Sequence, residues 1–292
     1  MFGLISFTAS ISNAQLRRNR VLLRASHAGN VGKCEGAIIS GANVNSDENL
    51  VTPLSNACSQ LHSECVLLLL SRGANVINSV RQLTYLAEVV GSHRYFPVDI
   101  TIDAYNELID RICECVKCLL KYDINIDRKS FGDRSRTALM YSTWNVRITN
   151  TLLEAGADVN IGDIFDISTL HIAVSLRHVD VMVVLLDSGA YIDALDDHGR
   201  TPLHYACINL CPDTVELLLC YGANIDIADT QYVTALDYAM SHINNSHDSI
   251  AVLQLLAEHT QSRHVDSSAD WIRLTRLPMP TAAQQRRRRL RT

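Results

Sequence analysis

Short apolar segments with the spacing of a helix face recur along the chain, and the clearest of them covers residues 201–207. Leu203 and Ala206 lie three residues apart, so they point to the same side of a helix. Thr201 ahead of them is a good N-cap residue. Pro202 suits the first helical position because its missing N–H has no partner to lose there. The pattern predicts a short helix that begins at Pro202 and buries one face.

A second, more apolar segment comes after each of these starts. In the same part of the chain it is the run at 215–219, which predicts a mostly buried helix. Gly222 comes next and suits the left-handed C-cap that ends a helix. The residues at 193–200 before the first segment include Asp and Gly, which favour a turn or a hairpin. The predicted unit is therefore two antiparallel helices preceded by a polar turn.

The unit recurs with a spacing of 33 residues. The start at 201–204 (TPLH) has counterparts at 168–171 (STLH) and 234–237 (TALD). The closing glycine recurs with the same spacing, at Gly156, Gly189 and Gly222. Two further copies lie upstream, at Gly41 and Gly73. Two separated motifs that agree in phase indicate one supersecondary unit that is copied and stacked.

These motifs resemble the ankyrin repeat over roughly residues 18 to 262. The resemblance implies an all-α solenoid of about seven helix-turn-helix units with hairpin-like turns. We expect the units to start near residues 18, 50, 82, 135, 166, 199 and 232. The third unit is expected to carry an insertion at 90–109. The chain then divides into an N-terminal extension at 1–17, the repeat domain at 18–262, and a basic, flexible C-terminal tail at 263–292.

Composition narrows the function classes further. The chain has 292 residues, is 47% hydrophobic and carries a formal charge of −5, which is typical of a globular protein and gives no general reason to expect nucleic acid binding. It has nine cysteines, an odd number, and they fall at small buried positions of the repeats, which favours a reducing compartment. No apolar run is long enough to span a membrane. We expect a cytoplasmic protein, with the nucleus as the alternative.

Two groups of side chains could bind a metal or act in catalysis, but each also has a structural interpretation. Cys113, Cys115 and Cys118 have ligand chemistry for zinc, but on one helix Cys113 and Cys115 diverge, which favours core packing. His171 and His204 occupy the same repeat position, where an imidazole can bond to a neighbouring turn. No nucleotide-binding or nucleophile-elbow motif occurs. The sequence therefore predicts a protein that is not an enzyme and that needs no metal or cofactor.

The resemblance implies that a partner protein binds on the concave face formed by the hairpin tips and the first helix of each unit. The repeat phase assigns the candidate residues. Apolar hairpin positions and a nearby Trp are unusual among them, because exposed apolar clusters mark interaction sites. The alternative is that Phe165 folds back on the irregular fourth unit. The assigned positions are Arg134, Arg136, Trp144, Asn145, Ile164, Phe165, Ile167, Leu195, Asp197, His198 and Arg200.

The tail carries two further motifs. The stretch Leu277, Pro278, Met279 and Pro280 looks like the end of a SOCS box, which implies docking to elongin and a cullin-type ubiquitin ligase. The apolar helices that flank this stretch in such boxes are not visible here. The run at 286–289 is basic, which suits a nuclear localisation signal or a solvated end. Asn160 resembles the site at which an asparaginyl hydroxylase modifies ankyrin repeats, and an ordinary turn residue is the alternative.

Overall fold

The described part of the chain is helical. The computed structural model describes residues 12–48, 51–75, 85–90, 101–122, 124–130, 134–242 and 247–263. Within these ranges the only β pairing is three isolated antiparallel bridges, Glu48 with Val51, Gly162 with Ser168 and Ala228 with Thr234. The last two close hairpins of the repeat. The predicted all-α fold class with hairpin-like turns is therefore confirmed.

Short helices succeed one another in pairs along the chain. Their bounds are α1 (Asn13–His27), α2 (Val31–Ile39), α3 (Pro53–Ser59), α4 (Ser63–Ser71), α5 (Tyr85–Val90), α6 (Ile102–Leu120), α7 (Ala138–Tyr141), α8 (Val146–Glu154), α9 (Thr169–Ser175), α10 (Val179–Asp187), α11 (Pro202–Ile208), α12 (Pro212–Cys220), α13 (Ala235–Ser241) and α14 (His247–Arg263). A 3-10 turn, Ser142–Trp144, continues α7. None of the described helices is both long and apolar enough to cross a membrane.

The helices pack as two units. Unit 1 comprises residues 1–173 and 180–190, and unit 2 comprises 174–179 and 191–292. In unit 1, α1, α3, α5 and α7 pack on one another as one layer, and α2, α4, α6 and α8 form the second layer. In unit 2, α11 packs on α13 and α12 packs on α14. The first helix of each repeat thus packs on the first helix of the next, and the second helix on the second, as the 33-residue period requires.

The Thr-containing motif starts helices in the way its residue types predict. Thr52, Thr201 and Thr234 are the N-cap residues of α3, α11 and α13, and all three are in extended conformation. The third residue of each helix hydrogen-bonds back to the backbone of its cap residue, in a capping box. Leu203, the next apolar residue of the motif, is fully buried. The motif therefore fixes the entry into each first helix and fills the core between the layers.

The glycines end the second helices as predicted. Gly156, Gly189 and Gly222 have φ angles of 89°, 87° and 89°, which lie in the left-handed region. This conformation lets the next residue bond back into the helix, as when Ala223 N–H donates to the Leu218 carbonyl at 3.0 Å. The chain then turns toward the next hairpin.

Two helices begin earlier than the sequence pattern suggests. Helix α1 starts at Asn13, within the predicted N-terminal extension, and Gln15 donates from its amide to the Gly41 carbonyl at 2.8 Å. Helix α6 starts at Ile102, so the last part of the insertion predicted at 90–109 is its first two turns. The aromatic-basic stretch at 92–97 of that insertion lies outside the described residues.

Candidate functional site

An aspartate organises the hairpin ahead of three successive first helices. Asp163, Asp196 and Asp229 are spaced by 33 residues and are all buried. In each hairpin the carboxylate Oδ1 accepts backbone N–H bonds from the residues two and four positions later, at 2.8 to 3.2 Å. The carboxylate thus accepts hydrogen bonds from backbone N–H groups that would have no carbonyl partner in so tight a turn. The 33-residue spacing of these aspartates is visible in the sequence and is the signal that could have located them.

The turn needs a left-handed residue three positions after each aspartate. These residues are Asp166, Gly199 and Tyr232, with φ angles of 54°, 75° and 62°. Gly199 suits this conformation, and a Cβ added there would approach the Thr230 nitrogen to 3.2 Å. Tyr232 is a bulky residue in the same conformation, and its side chain is 91% exposed. The tip of this hairpin is therefore held in a shape that its own residue disfavours.

Adjacent hairpin tips are tied together by backbone bonds. Within unit 1, Ile164 N–H donates to the Arg134 carbonyl at 3.1 Å, and within unit 2, Thr230 N–H donates to the His198 carbonyl at 2.9 Å. Each pair brings residues of two repeats side by side. The structure thus brings together Arg134 and Ile164 of the predicted site.

The apolar hairpin residues of unit 1 are on the surface. Ile164 is 53% exposed and Phe165 is 40% exposed, while Ile167 is partly buried. Their position is fixed by Asp163, whose Oδ1 accepts the N–H groups of Phe165 and Ile167. Ordered backbone below exposed apolar side chains is what a preformed contact surface requires, because little entropy is lost in forming it.

The two arginines predicted beside this patch have different roles. Arg134 is exposed, whereas Arg136 lies with its Nε 3.5 Å from the Asp163 Oδ2, and the Asp163 side chain is fully buried. In the two unit-2 hairpins the equivalent oxygen accepts a tyrosine hydroxyl, from Tyr205 or Tyr238. The residue equivalent to these tyrosines is Ile172, which has no side-chain donor, and the buried Asp163 carboxylate instead lies 3.5 Å from the cation Arg136.

Trp144 and Asn145 lie at the other end of the first helix. Arg134 precedes α7 and Trp144 ends the 3-10 turn after it, so the two are separated by about 10 Å of helix. The indole N–H of Trp144 donates to the Val90 carbonyl at 3.2 Å. Asn145 caps α8 and donates from its amide to the Tyr105 hydroxyl at 3.0 Å. Their hydrogen-bond partners Val90 and Tyr105 lie on α5 and α6, not in the hairpin that carries Ile164 and Phe165.

The predicted residues of unit 2 surround a charged network. Arg200 donates from Nε to the Asp196 Oδ2 at 2.9 Å, and its guanidinium lies 5.0 Å from the centre of the Tyr205 ring. Tyr205 also donates its hydroxyl to Asp196, at 2.8 Å. Burial alone would raise the pKa of Asp196, but hydrogen bonds from Arg200 and Tyr205 hold it below its usual range. The Arg200 guanidinium therefore stabilises its own hairpin through Asp196.

The remaining unit-2 residues of the predicted site face solvent. Leu195 is 51% exposed, and Asp197 and His198 are exposed beside it, with the imidazole Nδ1 in contact with the Asp197 carboxylate. Asp196, Asp197 and His198 are the one group in the described ranges whose ligand atoms lie close enough for a metal ion. The Asp196 oxygens already accept bonds from Arg200 and Tyr205, so a cation there would compete with a guanidinium.

The cysteine cluster is part of the core. Cys113, Cys115 and Cys118 all lie on α6 and are buried. Burial raises the pKa of Cys115 to about 12, so its thiol is protonated at neutral pH, as suits a side chain packed in the core. The packing interpretation of these residues fits the structure.

His204 ties two repeats of unit 2 together. Its Nδ1 accepts the Thr201 N–H at 3.0 Å, and its Nε2 lies 3.2 Å from the Val233 carbonyl, to which it donates. Both bonds need the neutral tautomer with hydrogen on Nε2. Burial lowers the pKa of His204 below its usual range. The imidazole therefore links the start of α11 to the hairpin of the next repeat.

We expect this tie to weaken in acid. A histidine with a lowered pKa in the folded state binds fewer protons than in the unfolded chain, so stability falls as pH drops below about 6.5. The free energy of unfolding, measured by urea titration at pH 7.5 and pH 5.5, should decrease. In His204→Gln, which keeps a capping-box residue at this position, that decrease should be smaller. An equal decrease in both chains would contradict the assignment.

Several predicted features fall outside the described residues. These are the ligase-docking stretch Leu277, Pro278, Met279 and Pro280, and the basic run at 286–289. Asn160 is described: its side-chain amide donates to the Gly189 carbonyl at 3.1 Å within unit 1. This bond fits the turn role that was one of the two interpretations of Asn160.

Comparison with known proteins bears directly on the repeats. A family model for ankyrin repeats, three copies long, matches residues 147–229 and 170–269. The chain contains ankyrin repeats. The Thr-capped first helix, the glycine-ended second helix and the aspartate-held hairpin are therefore the parts of one ankyrin repeat. The search of curated protein sequences found no match.

Solved ankyrin domains resemble this chain over most of its length. The human ASB11 ankyrin repeat domain is 23% identical, over 80% of this chain and 96% of that chain, with a TM-score of 0.64. The ankyrin repeat domain of Bcl-3, a member of the IkappaB family, is also 23% identical, over 81% and 97%, with a TM-score of 0.65. At this identity the likeness establishes the ankyrin fold alone.

Proposed function

We propose that the chain is a non-catalytic adaptor of the cytoplasm or nucleus that binds a partner protein through the hairpin tips of its ankyrin repeats. The observation that carries this proposal is the pair Ile164 and Phe165. Both are exposed apolar side chains at the tip of an ordered hairpin, and Arg134 lies next to them. A partner that covers them gains hydrophobic contact without ordering the surface first.

Unit 2 offers a second contact area of the same kind. Leu195, Asp197 and His198 are exposed at its hairpin tip, and Arg200 and Asp196 support them from below. Arg136 and Arg200 are thus assigned to the support of the surface, whereas Arg134 and Leu195 are assigned to direct contact. Trp144 and Asn145 stabilise the turn between helices and would affect a partner only indirectly.

We expect the double variant Ile164→Ser/Phe165→Ser to weaken partner binding by roughly tenfold or more, as loss of buried apolar anchors does. The full-length chain and the variant are compared by affinity capture with quantitative mass spectrometry, and the captured partner is then titrated. The matched control is Ile39→Ser/Ile102→Ser, which removes two exposed isoleucines on α2 and α6 of the same unit. Equal capture by the double variant and the full-length chain would overturn the site assignment.

A second candidate function is the substrate-recognition subunit of a cullin-type ubiquitin ligase. It is favoured by the stretch Leu277, Pro278, Met279 and Pro280, which comes after the last repeat, together with the likeness to the ASB11 ankyrin domain. The same capture separates the two functions. Elongin and a cullin among the recovered proteins, and their loss in Leu277→Ala/Pro278→Ala, would select the ligase subunit over the simple adaptor.

A further inference from the structure

The charge of the chain is unevenly divided between its last repeats and its tail. Residues 191–262 contain ten carboxylates and a single cation, Arg200, a formal charge of −9. Arg200 is bound to Asp196, so it does not face a ligand. Residues 263–292 contain eight arginines and two aspartates, a formal charge of +6. A negatively charged surface attracts positively charged ligands, and the tail of this chain is such a positively charged segment.

The surface of unit 2 that the hairpins present is partly apolar as well as acidic. We define the tip face by Leu195, Asp197, Tyr232 and Asp237, which lie at two hairpin tips and at the start of α13. The Thr230–His198 backbone bond joins the two tips. Hydrogen bonds from Thr234 lower the pKa of Asp237, so this exposed carboxylate is ionised at neutral pH.

Tyr232 combines an exposed side chain with a backbone conformation that is unfavourable for tyrosine. It adopts a left-handed φ of 62°, where its counterpart one repeat earlier is Gly199. The left-handed conformation is less favourable for a residue with a Cβ than for glycine. The ring is 91% exposed, so no packing inside the described chain offsets that cost. An exposed ring on a backbone in this disfavoured conformation is suited to contact a ligand.

We propose that the arginine-rich segment 286–291 of the chain's own tail docks on the tip face. A guanidinium can stack on a tyrosine ring and bond a carboxylate at the same time, which an ammonium does less well. The same combination already exists inside this unit, where Arg200 lies over the Tyr205 ring and bonds Asp196. Tyr232, Asp197 and Asp237 are exposed and offer the same residue types, a tyrosine ring and carboxylates, to an incoming arginine.

A long connection joins the arginine-rich segment to unit 2. Helix α14 packs on α12 and α13 of the same unit and ends at Arg263. The 22 residues between Arg263 and Arg286 can span up to about 75 Å. A docked tail would cover a surface that we assign to partner binding, so a partner would have to displace it. Both sides of the contact belong to one chain, so the contact can be tested without knowing the partner.

The test uses the full-length chain with the photo-reactive residue p-benzoylphenylalanine at position 232. Irradiation at low protein concentration should give a product of monomer mass in which position 232 is joined to residues 281–292, as mapped by mass spectrometry. The control places the same residue at Tyr221, an exposed tyrosine that follows α12 and does not belong to the tip face. Its yield of tail product should be several-fold lower.

Variants of the tail and of the tip face separate the contribution of charge from that of the guanidinium group. Replacing all five arginines of 286–291 by Gln should lower the yield about tenfold, since opposite charges no longer attract. Lys at the same positions should give an intermediate yield, because it keeps the charge and loses the planar guanidinium. Asp197→Asn/Asp237→Asn should act like the Gln variant. Absence of tail product, insensitivity to the Gln variant, or tail product only at dimer mass would overturn the proposal.

Discussion

Replacing Asp196 by Ala is expected to lower the free energy of unfolding by about 3 kcal/mol, because it removes one partner of a buried, hydrogen-bonded ion pair. The Asp196 carboxylate accepts bonds from the backbone of His198 and Arg200, from the Arg200 guanidinium and from the Tyr205 hydroxyl. All of these donors lose their acceptor at once. Urea unfolding followed by circular dichroism measures the change.

The neighbouring aspartate provides the control. Asp197 is exposed and its carboxylate contacts the exposed imidazole of His198, so Asp197→Ala should change stability by less than about 0.5 kcal/mol. The contribution of Asp196 should also depend on pH. Because its pKa is lowered in the folded state, its stabilisation is present at neutral pH and is lost as pH falls below about 4. Equal losses in both variants would contradict the buried network.

Replacing Arg136 by Ala is expected to lower the free energy of unfolding by about 2 kcal/mol, because a buried carboxylate is left without a cation. The Asp163 side chain is fully buried, and its Oδ2 lies 3.5 Å from the Arg136 Nε without a hydrogen bond. No tyrosine hydroxyl reaches this oxygen, since the equivalent position is Ile172. Urea unfolding again measures the loss.

Two further variants make this prediction specific. Arg134→Ala removes an exposed arginine two residues away and should leave stability within about 0.5 kcal/mol of the original chain. Ile172→Tyr in the Arg136→Ala background should recover about 1 kcal/mol, because the new hydroxyl can donate to Asp163 as Tyr205 does to Asp196. If Arg134→Ala were the more damaging change, the structural role of Arg136 would be wrong.

Residues that share a hairpin differ in what they do for it. By repeat phase, Arg134 and Arg136 are equivalent candidates for partner contact, and Asp196 and Asp197 are neighbours in one turn. Phase places a residue on the hairpin but does not give the direction of its side chain. Burial and hydrogen bonds separate them, and they assign Arg136 and Asp196 to the support of the tip and the other two to its surface.

Trp144 shows a second limit of the pattern. Its place in the repeat suggested the partner surface beside Ile164, but the fourth repeat departs from the standard spacing. Ser130, the counterpart of Asp163, donates its N–H to the carbonyl of Arg136, six residues on, whereas Asp163 bonds four residues on. This hairpin is therefore two residues longer, and α7 after it has four residues where α9 has seven. Trp144 still stands five residues after Leu139, as Ile208 does after Leu203, and both end the first helical segment of their repeat. The phase did not give the partner of its indole N–H, which donates to the Val90 carbonyl.

The sequence by itself determined the repeat, its period, the caps at both ends of its helices and the all-α class. These depend on local rules: which residues cap a helix, which tolerate a left-handed φ, and which positions share a helix face. The tertiary structure alone decided which polar residues are buried partners and which apolar residues are exposed. Side-chain direction decides them, and several of the contacts join successive repeats, as Arg136 does with Asp163 and His204 with Val233, so the local pattern does not encode them.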